Sequence, residues 1–546
     1  MMRKTIYTVV IFFAVTILAD GKLCAQWLLP MNREIYQEAD KKLLENENAH
    51  LLVKPYAYPI QERKLLMDSL LASDRKERKS DMRWFYRKLR YESLIDVDSS
   101  DFSLQIDPLV NLVLMQDKDG GRYYTNTRGV MIAGNIGKDF SFYSDFYENQ
   151  SVFPSYVSSF INAHRVVPGQ GLRKRFKENG YDYSNASGSI SYRPSRYFHF
   201  LFGHGKNFVG DGYRSLLLSD ASYNYPFLRI TTEFWKIKYT NIYASFIDMR
   251  DSHSYESGFA RKYGTMHALS YNVCKALNIG LFEAVIWQAA DSTGRRGFDV
   301  GYLNPVIFYH PVQLSLGSPD NVVLGMNVRL NITRKLILYG QAVLDDLDLG
   351  RSKTDKGFIL NKFGGQGGVK WFDPFKIRNL YVQGEVNIVK PYVFAHKTRL
   401  QNYAHYEQPL GHPQGANFAE GVGILNYRYK NLFAEFKITY TIYGGDTGDT
   451  HWGHDVFQSD YDAELGFASG KGTKPGTGYG NVILQGVRTT ISYQDFRISY
   501  LLNPRTNLNV SIGATGRFLE RLGNRSADLF VYVAIRSSLR NLYFDF

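Results

Sequence analysis

The sequence predicts an all-β protein, a transmembrane antiparallel β-barrel of about 18 strands with a short N-terminal helical periplasmic segment. Three observations support this prediction. The chain begins with a secretory signal, it ends on an aromatic residue, Phe546, and many aromatic-rich segments of roughly 8–13 residues with alternating apolar and polar positions lie between. A terminal Phe is how many bacterial barrels present their last strand for membrane insertion. We therefore expect the protein in the bacterial outer membrane.

Residues 1–25 have the features of a signal peptide. Two basic residues precede an apolar stretch at 6–19, which is too short for a transmembrane helix. Cys24 raises the alternative of lipidation, but the sequence Gly-Lys-Leu at 21–23 matches poorly, because lipoprotein signals have small residues just before the Cys. No later window holds ~20 uninterrupted apolar residues, so no second membrane helix is expected.

The composition fits a barrel and narrows the range of partners. Mean hydropathy is −0.29, as in a soluble protein, but only every second residue of a barrel strand faces lipid. Aromatic residues make up 15% of the chain, enough for two interfacial girdles. The net charge of +13 suits phosphorylated lipid, including lipopolysaccharide, or acidic polysaccharide, whereas nucleic acid is not expected for an exported chain. Cys274 is the one cysteine of the mature chain, so no internal disulfide is expected.

Residues 26–100 are predicted to form a helical segment on the periplasmic side. Ile35, Ala39 and Leu43 recur at helical spacing, and the stretch at 74–81 is highly polar. Two interpretations stay open for this segment: a solvated helical linker, or a periplasmic helical subdomain or plug at the mouth of the barrel.

Residues 101–546 are predicted to form the barrel with long extracellular loops. Every second residue from Leu529 to Ile535 is aliphatic, and these residues alternate with a second set that runs from Phe530 to Arg536. A barrel strand places one such set against lipid and the other in the lumen. A soluble sandwich would also alternate, but no linker divides this long region into domains of sandwich size.

The lengths of the connections between strands support the barrel. Short turns are predicted near 136–139, 193–196, 275–277, 333–335 and 429–431. Long, Gly- and Tyr-rich connections are predicted at 149–182, 205–226, 249–263, 288–320, 345–364, 390–418 and 444–480. Short periplasmic turns and long outer loops produce this alternation, so the long set is expected to face outward. The structure of the carboxyl-terminal end stays open at this point, because the alternation breaks around 537–541. Two alternatives also remain for the lumen: it is open to water, or it is closed by a helical segment or folded loops.

Several stretches occur in an order that resembles a known family. The longest is FGHGKNFVGDGYRSLLLSD at 202–220, and others lie at 106–109, 301–311, 316–325, 338–346, 370–376 and 402–413. They resemble the Wzi capsule-assembly superfamily and, more closely, the RemB-type gliding-motility proteins of Bacteroidetes. The resemblance covers most of 85–520 and implies an outer-membrane barrel with a periplasmic helical element. Wzi-type proteins hold capsular polysaccharide at the cell surface, and RemB-type proteins are associated with gliding and adhesion.

A glycine-rich stretch at 205–212 contains a lysine and raises the alternative of a phosphate-binding loop. It lacks the order G-x-x-x-x-G-K-[ST], and no helical pattern follows it. We interpret it as a tightly folded outer loop. If the loop folds inward, Lys206, Asp211 and Arg214 are candidates to contact an anionic or hydroxylated ligand. The alternative, which we favour, is an internal ion pair that fixes the loop.

A second outer loop is a candidate glycan-contact surface. Tyr392, Lys397, Tyr403, His405 and Tyr406 lie in this loop. Aromatic faces stack on sugar rings, and cations attract uronate or phosphate groups. The alternative is an aromatic loop that packs against the barrel rim.

A third loop has the composition of a metal site. Asp446, Asp449, His451, His454 and Asp455 provide the carboxylates and imidazoles that calcium or zinc would need. Their spacing matches no standard site, however. We therefore expect no cofactor.

The sequence indicates a non-enzymatic function. It contains neither a G-x-S-x-G elbow nor an H-E-x-x-H motif. One hypothesis is a barrel that retains or organises surface polysaccharide or adhesive material, linked to capsule assembly or gliding motility. A second is an accessory subunit of a multiprotein outer-membrane machine for secretion, motility or barrel assembly, with other outer-membrane proteins as partners. A diffusion porin is the least favoured hypothesis.

Overall fold

The computed structural model describes residues 26–46, 48–59, 66, 67, 69, 83–250, 258–291, 294–308, 320–346, 357–446, 451–460 and 478–546. The signal peptide expected at 1–25 lies outside the described residues.

The described residues form a closed antiparallel barrel of 18 strands. This architecture confirms the predicted fold class. The strands, β1 to β18 in chain order, are Phe102–Asp117, Arg122–Ile136, Phe140–Val152, Gly180–Tyr192, Phe198–Gly205, Tyr225–Phe234, Ile237–Asp248, Ala260–Asn272, Leu277–Gln288, Asn321–Asn331, Leu336–Asp346, Lys362–Phe372, Leu380–Val389, Phe418–Tyr429, Leu432–Gly445, Val487–Asn503, Leu508–Arg521 and Asn524–Ser537.

The barrel closes where the last strand pairs with the first. Along β18, Phe530 lies opposite Asp117, and the pairing continues to Arg536 opposite Asn111. The remainder of β1 pairs instead with a short strand, Ile95–Asp98, which precedes the barrel in sequence. Every strand therefore has a partner on both sides, and the described wall has no open edge to expose backbone groups to lipid.

The alternation along each strand produces an apolar outer face. In β18, Val531 and Val533 are 61% and 50% exposed, whereas Phe530 and Tyr532 point inward and are buried. A closed wall with an apolar outer face is the arrangement that lets a β-structure span a bilayer. The protein is therefore located in the bacterial outer membrane.

Exposed aromatic side chains lie near both rims of the barrel. Trp235, Phe375 and Tyr429 lie at the end with the short turns, and Phe363 and Phe518 lie near the opposite end. Aromatic side chains at these two heights match the girdles expected at the two membrane interfaces.

Short and long connections lie at opposite ends of the barrel, as predicted. One end has the turns at 137–139, 193–197, 235–236, 273–276, 332–335, 373–379, 430–431 and 504–507. The other has the long connections at 153–179, 206–224, 249–259, 289–320, 347–361, 390–417 and 446–486. Two short turns, at 118–121 and 522–523, also lie at the long-loop end and were not predicted. Because outer-membrane barrels have short periplasmic turns, β1 begins and β18 ends at the periplasmic end.

The described residues include the helices α1, Arg33–Leu43; α2, Trp84–Arg90; and α3, Ser155–His164. None of the helices in the described part of the chain has the length and hydropathy needed to cross a membrane. The helical spacing noted around Ile35 and Ala39 corresponds to α1, in which both residues are buried. Asn32 is the N-cap of α1. Its side-chain oxygen accepts hydrogen bonds from the first-turn amides of Glu34 and Ile35 at 3.0 and 3.3 Å.

The carboxyl-terminal residue does not belong to the last strand, contrary to the expectation from Phe546. Strand β18 ends at Ser537, and residues 538–546 leave the wall and enter the lumen. There the Phe546 ring packs against Phe160 of α3, with ring centroids 4.9 Å apart. The physical reason is that Tyr543 and Asp545 have buried polar partners in the lumen, whereas an outward position would expose them to lipid.

Three segments fill much of the lumen, and we call them the plug: residues 26–59, residues 206–224 between β5 and β6, and the tail 538–546. The first and last enter from the periplasmic end, and the second descends from the long-loop end. The apolar core of the lumen surrounds the middle segment and is built from residues that include Leu216, Leu217, Leu218, Tyr225, Phe246, Phe282, Phe394, Tyr403 and Phe418.

Candidate functional site

Arg214 is the ionic centre of the plug. Its guanidinium is buried and donates to both carboxylate oxygens of Glu420 in β14, at 3.0 and 3.3 Å. It also lies 3.1 Å from Asp545 in the tail, and Lys437 of β15 reaches the same carboxylate at 2.9 Å. Burial alone would raise the pKa of Asp545, but these cations hold it below its ordinary value. One ionic cluster thus joins the inward loop, the wall and the tail.

A second ionic cluster holds α1 against the wall. Arg33 lies 2.6 Å from Glu435 of β15, and Arg497 of β16 lies 3.4 Å from the same carboxylate. Arg497 also pairs with Glu34. Each buried charge in this cluster therefore faces an opposite charge, which is the condition under which buried charges are tolerated.

Lys206 and Asp211, two of the predicted site residues, also contact the protein itself. The Lys206 ammonium donates to the carbonyl oxygens of Gly169 and Asp220, both at 2.9 Å, and burial lowers its pKa to about 8. The Asp211 carboxylate accepts a hydrogen bond of 2.8 Å from Asn327 in β10. The loop folds inward, and Asp211 fixes it to the wall, whereas Lys206 joins it to the connection at 153–179.

The glycines of the same stretch let the loop approach the wall closely. Gly210 has a φ of 145°, a conformation that other residues rarely adopt, and a Cβ there would collide with the side chain of Gln341. A Cβ on Gly212 would collide with Glu385. The glycine-rich pattern therefore serves close backbone packing in the lumen.

In the second predicted site, Tyr403 and His405 are buried between loops. The Tyr403 hydroxyl donates to the carbonyl oxygen of Leu217 at 2.7 Å. The His405 ring accepts from the amide of Ile247 at 3.0 Å and donates to the carbonyl oxygen of Asn224 at 3.1 Å. Burial lowers the pKa of His405 to about 3, so its imidazole is neutral at physiological pH.

The remaining members of that site differ in exposure. Tyr406 is buried against Tyr223, with ring centroids 4.5 Å apart, and the buried Tyr392 hydroxyl donates to the carbonyl oxygen of His451 at 2.9 Å. Lys397 is exposed. Direct glycan contact by these residues stays a prediction, and their buried contacts indicate that most of them hold the loops together.

The predicted metal group is only partly described, because Asp449 lies outside the described residues. Asp446 accepts a hydrogen bond from the amide of Asp455 at 3.0 Å, and the His454 ring donates to the carbonyl oxygen of Ala416 at 2.7 Å. Within the described ranges, no three His, Cys, Asp or Glu side chains are grouped so that they could hold a metal. The five-residue site stays a prediction.

A cavity of about 290 Å³ lies in the other part of the lumen. It is bounded by the tail, by residues at the start of α1 and α3, and by strands β1–β4 and β15–β18. Aromatic rings line much of it, including Tyr123, Tyr147, Tyr156, Tyr183, Phe530 and Tyr532. The two short outer turns, at 118–121 and 522–523, connect strands that bound this cavity.

Among the described residues, two arginines in the cavity lack the carboxylate partners that Arg33 and Arg214 have. Arg540 lies 4.0 Å from the centroid of the Tyr147 ring and donates to the side chain of Gln170 at 3.0 Å. Arg536 donates to Ser511 at 3.0 Å. Among the described residues, neither guanidinium has a carboxylate at ion-pair distance, and Nη1 of Arg540 and Nε of Arg536 are buried without a hydrogen-bond partner.

The sequence contained part of the signal for this cavity. The alternation in β18 assigns Phe530, Tyr532 and Arg536 to the lumen, as the structure has them. Arg540 follows the break in the pattern, and no local signal places it beside Tyr147 of β3.

Comparison with known proteins finds likeness in structure only. No family model and no curated protein matches the sequence. Wzi of Escherichia coli, an outer-membrane carbohydrate-binding β-barrel involved in group 1 capsule assembly, is similar with a TM-score of 0.49 and 13% identity, over 94% of this chain and 100% of that chain. OpdK of Pseudomonas aeruginosa is similar with a TM-score of 0.42 and 9% identity, over 79% and 98%.

OprD of Pseudomonas aeruginosa is similar with a TM-score of 0.39 and 10% identity, over 82% of this chain and 96% of that chain. At these identities and TM-scores, the likenesses carry no argument about function. The finer expectation of a RemB-type gliding protein finds no support in the sequence comparisons and stays a prediction.

Proposed function

We propose that this protein is a non-enzymatic outer-membrane barrel that retains or organises surface polysaccharide or adhesive material, in capsule assembly or gliding motility. The observation that carries the proposal is the cavity in which tyrosines lie beside Arg536 and Arg540. Aromatic rings offer flat apolar faces to sugar rings, and guanidinium groups bind carboxylate or phosphate through paired hydrogen bonds. The cavity therefore suits an acidic sugar unit.

The plug favours surface binding over diffusion through the lumen. Two ionic clusters, centred on Arg214 and Glu435, fix the plug to the wall. Solute passage would require these buried pairs to separate, and breaking a buried pair is costly because it leaves an uncompensated charge. A diffusion porin is therefore the weaker hypothesis for this barrel.

The proposal is tested by calorimetric titration of the purified protein with acidic and neutral oligosaccharides of equal length. Oligogalacturonate and malto-oligosaccharide are suitable probes. We expect binding of the acidic probe and about tenfold weaker binding by Arg540→Gln, because a hydrogen bond to a charged group is lost. Arg525→Gln is the matched control, since Arg525 lies exposed near the β17–β18 turn and should leave the affinity unchanged.

Three results would contradict the proposal. They are no binding of either probe, equal affinity for both probes, and equal loss of affinity in Arg540→Gln and Arg525→Gln.

A further inference from the structure

Helix α2 presents aromatic side chains to its surroundings and buries none of its residues. Trp84 is 58% exposed and Phe85 is 71% exposed, and Tyr86 and Leu89 are also exposed. Four adjacent large apolar or aromatic side chains on one short helix are unusual at a surface that faces only water. The exposed side chains of α2 therefore indicate that the helix lies in an environment other than bulk water.

The helix is fixed beside the lipid-facing wall at the periplasmic end. The guanidinium of Arg90 donates to the Tyr500 hydroxyl at 3.2 and 3.3 Å. Tyr500 points outward from β16, three residues before that strand ends at Asn503. The Asn503 side chain in turn donates to the carbonyl oxygen of Lys88 at 3.0 Å. These contacts place α2 at the height of the periplasmic membrane interface.

The apolar surface continues from α2 into the wall. After the helix, the chain joins the barrel as the strand Ile95–Asp98, which pairs with β1. Ile95 and Val97 are both exposed, whereas Asp96 accepts a hydrogen bond from Gln105, which is buried on the lumen side. Ile95 and Val97 thus extend the lipid-facing belt towards α2.

The charge of the helix complements phospholipid headgroups. Among the residues that the structure describes here, Arg83, Arg87, Lys88 and Arg90 lie in or beside the helix, and Glu92 is the carboxylate that contacts them. Arg87 and Lys88 both contact Glu92, at 3.0 and 3.2 Å, so the segment keeps a surplus of positive charge. Exposed aromatic residues together with basic residues are typical of helices that lie in the plane of a membrane interface.

We propose that α2 lies in the headgroup layer of the periplasmic leaflet and anchors residues 83–98 to that leaflet. The occupant of its exposed face is phospholipid of the membrane that holds the barrel. The inference is independent of any glycan, because it rests on the outer surface of the periplasmic rim.

The test uses the full mature chain in phospholipid nanodiscs with spin labels at single cysteines. Cys274→Ser provides the background, and Phe85→Cys is the reporter, an exposed position where a label disturbs no buried contact. Val531→Cys, on the outer face of β18, is the lipid reference. Lys118→Cys, in the exposed β1–β2 turn, is the water reference.

The measured quantity is the accessibility of each label to oxygen, which enriches in lipid, relative to a water-soluble nickel complex. We expect the ratio at Phe85→Cys to approach that of Val531→Cys and to exceed that of Lys118→Cys several-fold. A ratio equal to that of Lys118→Cys would overturn the proposal. Protection from both reagents would also overturn it, because the face would then be covered by protein rather than lipid.

Discussion

The two halves of the lumen are filled in different ways. Next to strands β5–β14, the loops at 206–224 and 390–417 pack into a continuous apolar core with polar side chains paired around it. Next to strands β16–β18 and β1–β3, the tail and α3 leave a cavity of about 290 Å³. We call these the packed half and the cavity half. One barrel thus combines a closed region with a recess lined by tyrosines and by two arginines that have no carboxylate partner in the described part of the chain.

Residue type is therefore a weaker guide to a binding site than the partners of each residue. Arg214, Tyr403 and His405 have the chemistry of glycan contacts, yet each is bound to other groups of the protein in the lumen. Arg536 and Arg540 have the same chemistry as Arg214 and lack carboxylate partners among the described residues.

Removing the tail 538–546 should have the largest effect. The deletion takes away the Asp545 carboxylate that faces Arg214 and Lys437, and it empties part of the cavity half. We expect stable ion conductance in planar bilayers, where the intact protein stays closed. Phe546→Ala is the control, because it keeps Asp545 and should stay closed. A truncated protein without ion conductance would show that the tail is not needed for closure.

Replacing Arg214 should destabilise the packed half strongly. Arg214→Met leaves the buried carboxylates of Glu420 and Asp545 without this cation, and losing one partner of a buried pair costs about 3–5 kcal/mol. The free energy of unfolding in denaturant measures this cost. Arg525→Met, at an exposed position, should change it by less than about 0.5 kcal/mol. Equal free energies of unfolding for the two variants would show that Arg214 does not stabilise the packed half.

Tyr403→Phe should have a smaller effect and directly tests the division between the two halves. The change removes the hydroxyl that donates to Leu217 and leaves a buried carbonyl oxygen unpaired, at a cost of about 1–3 kcal/mol. We expect this loss of stability with unchanged affinity for the acidic oligosaccharide. Lost affinity with unchanged stability would instead restore Tyr403 as a glycan contact.

Acid should weaken the ion pairs between the tail and the rest of the lumen only at low pH. Arg214, Lys437 and Tyr213 face Asp545 and keep its pKa below the ordinary value of 3.8. The ionic contribution is therefore complete above 3.8 and is lost as pH falls through the lower pKa of the folded state. Bilayer conductance should appear only below about pH 4. A barrel that opens near neutral pH would contradict this assignment, and Asp545→Asn should depend less steeply on acid.

The sequence predicted the barrel wall well because the wall depends on local pattern. The alternation from Leu529 to Ile535 was enough to assign its outward face, and connection lengths gave the two ends of the barrel. The plug depends on pairs that are distant in sequence. Tyr213 and Asp545, for example, are 332 positions apart, and nothing local connects them. The broken alternation after Ser537 marked the end of the wall, but it did not reveal where the tail goes.

The distribution of polysaccharide between cells and medium tests most directly whether this barrel retains polysaccharide on the cell surface. The gene is deleted and then restored as the natural sequence, as Arg536→Gln/Arg540→Gln, or as Arg525→Gln. We predict that the deletion and the double variant release polysaccharide into the medium while total synthesis stays normal, and that the other two retain it on the cells. An unchanged distribution in the deletion strain would contradict polysaccharide retention by this barrel.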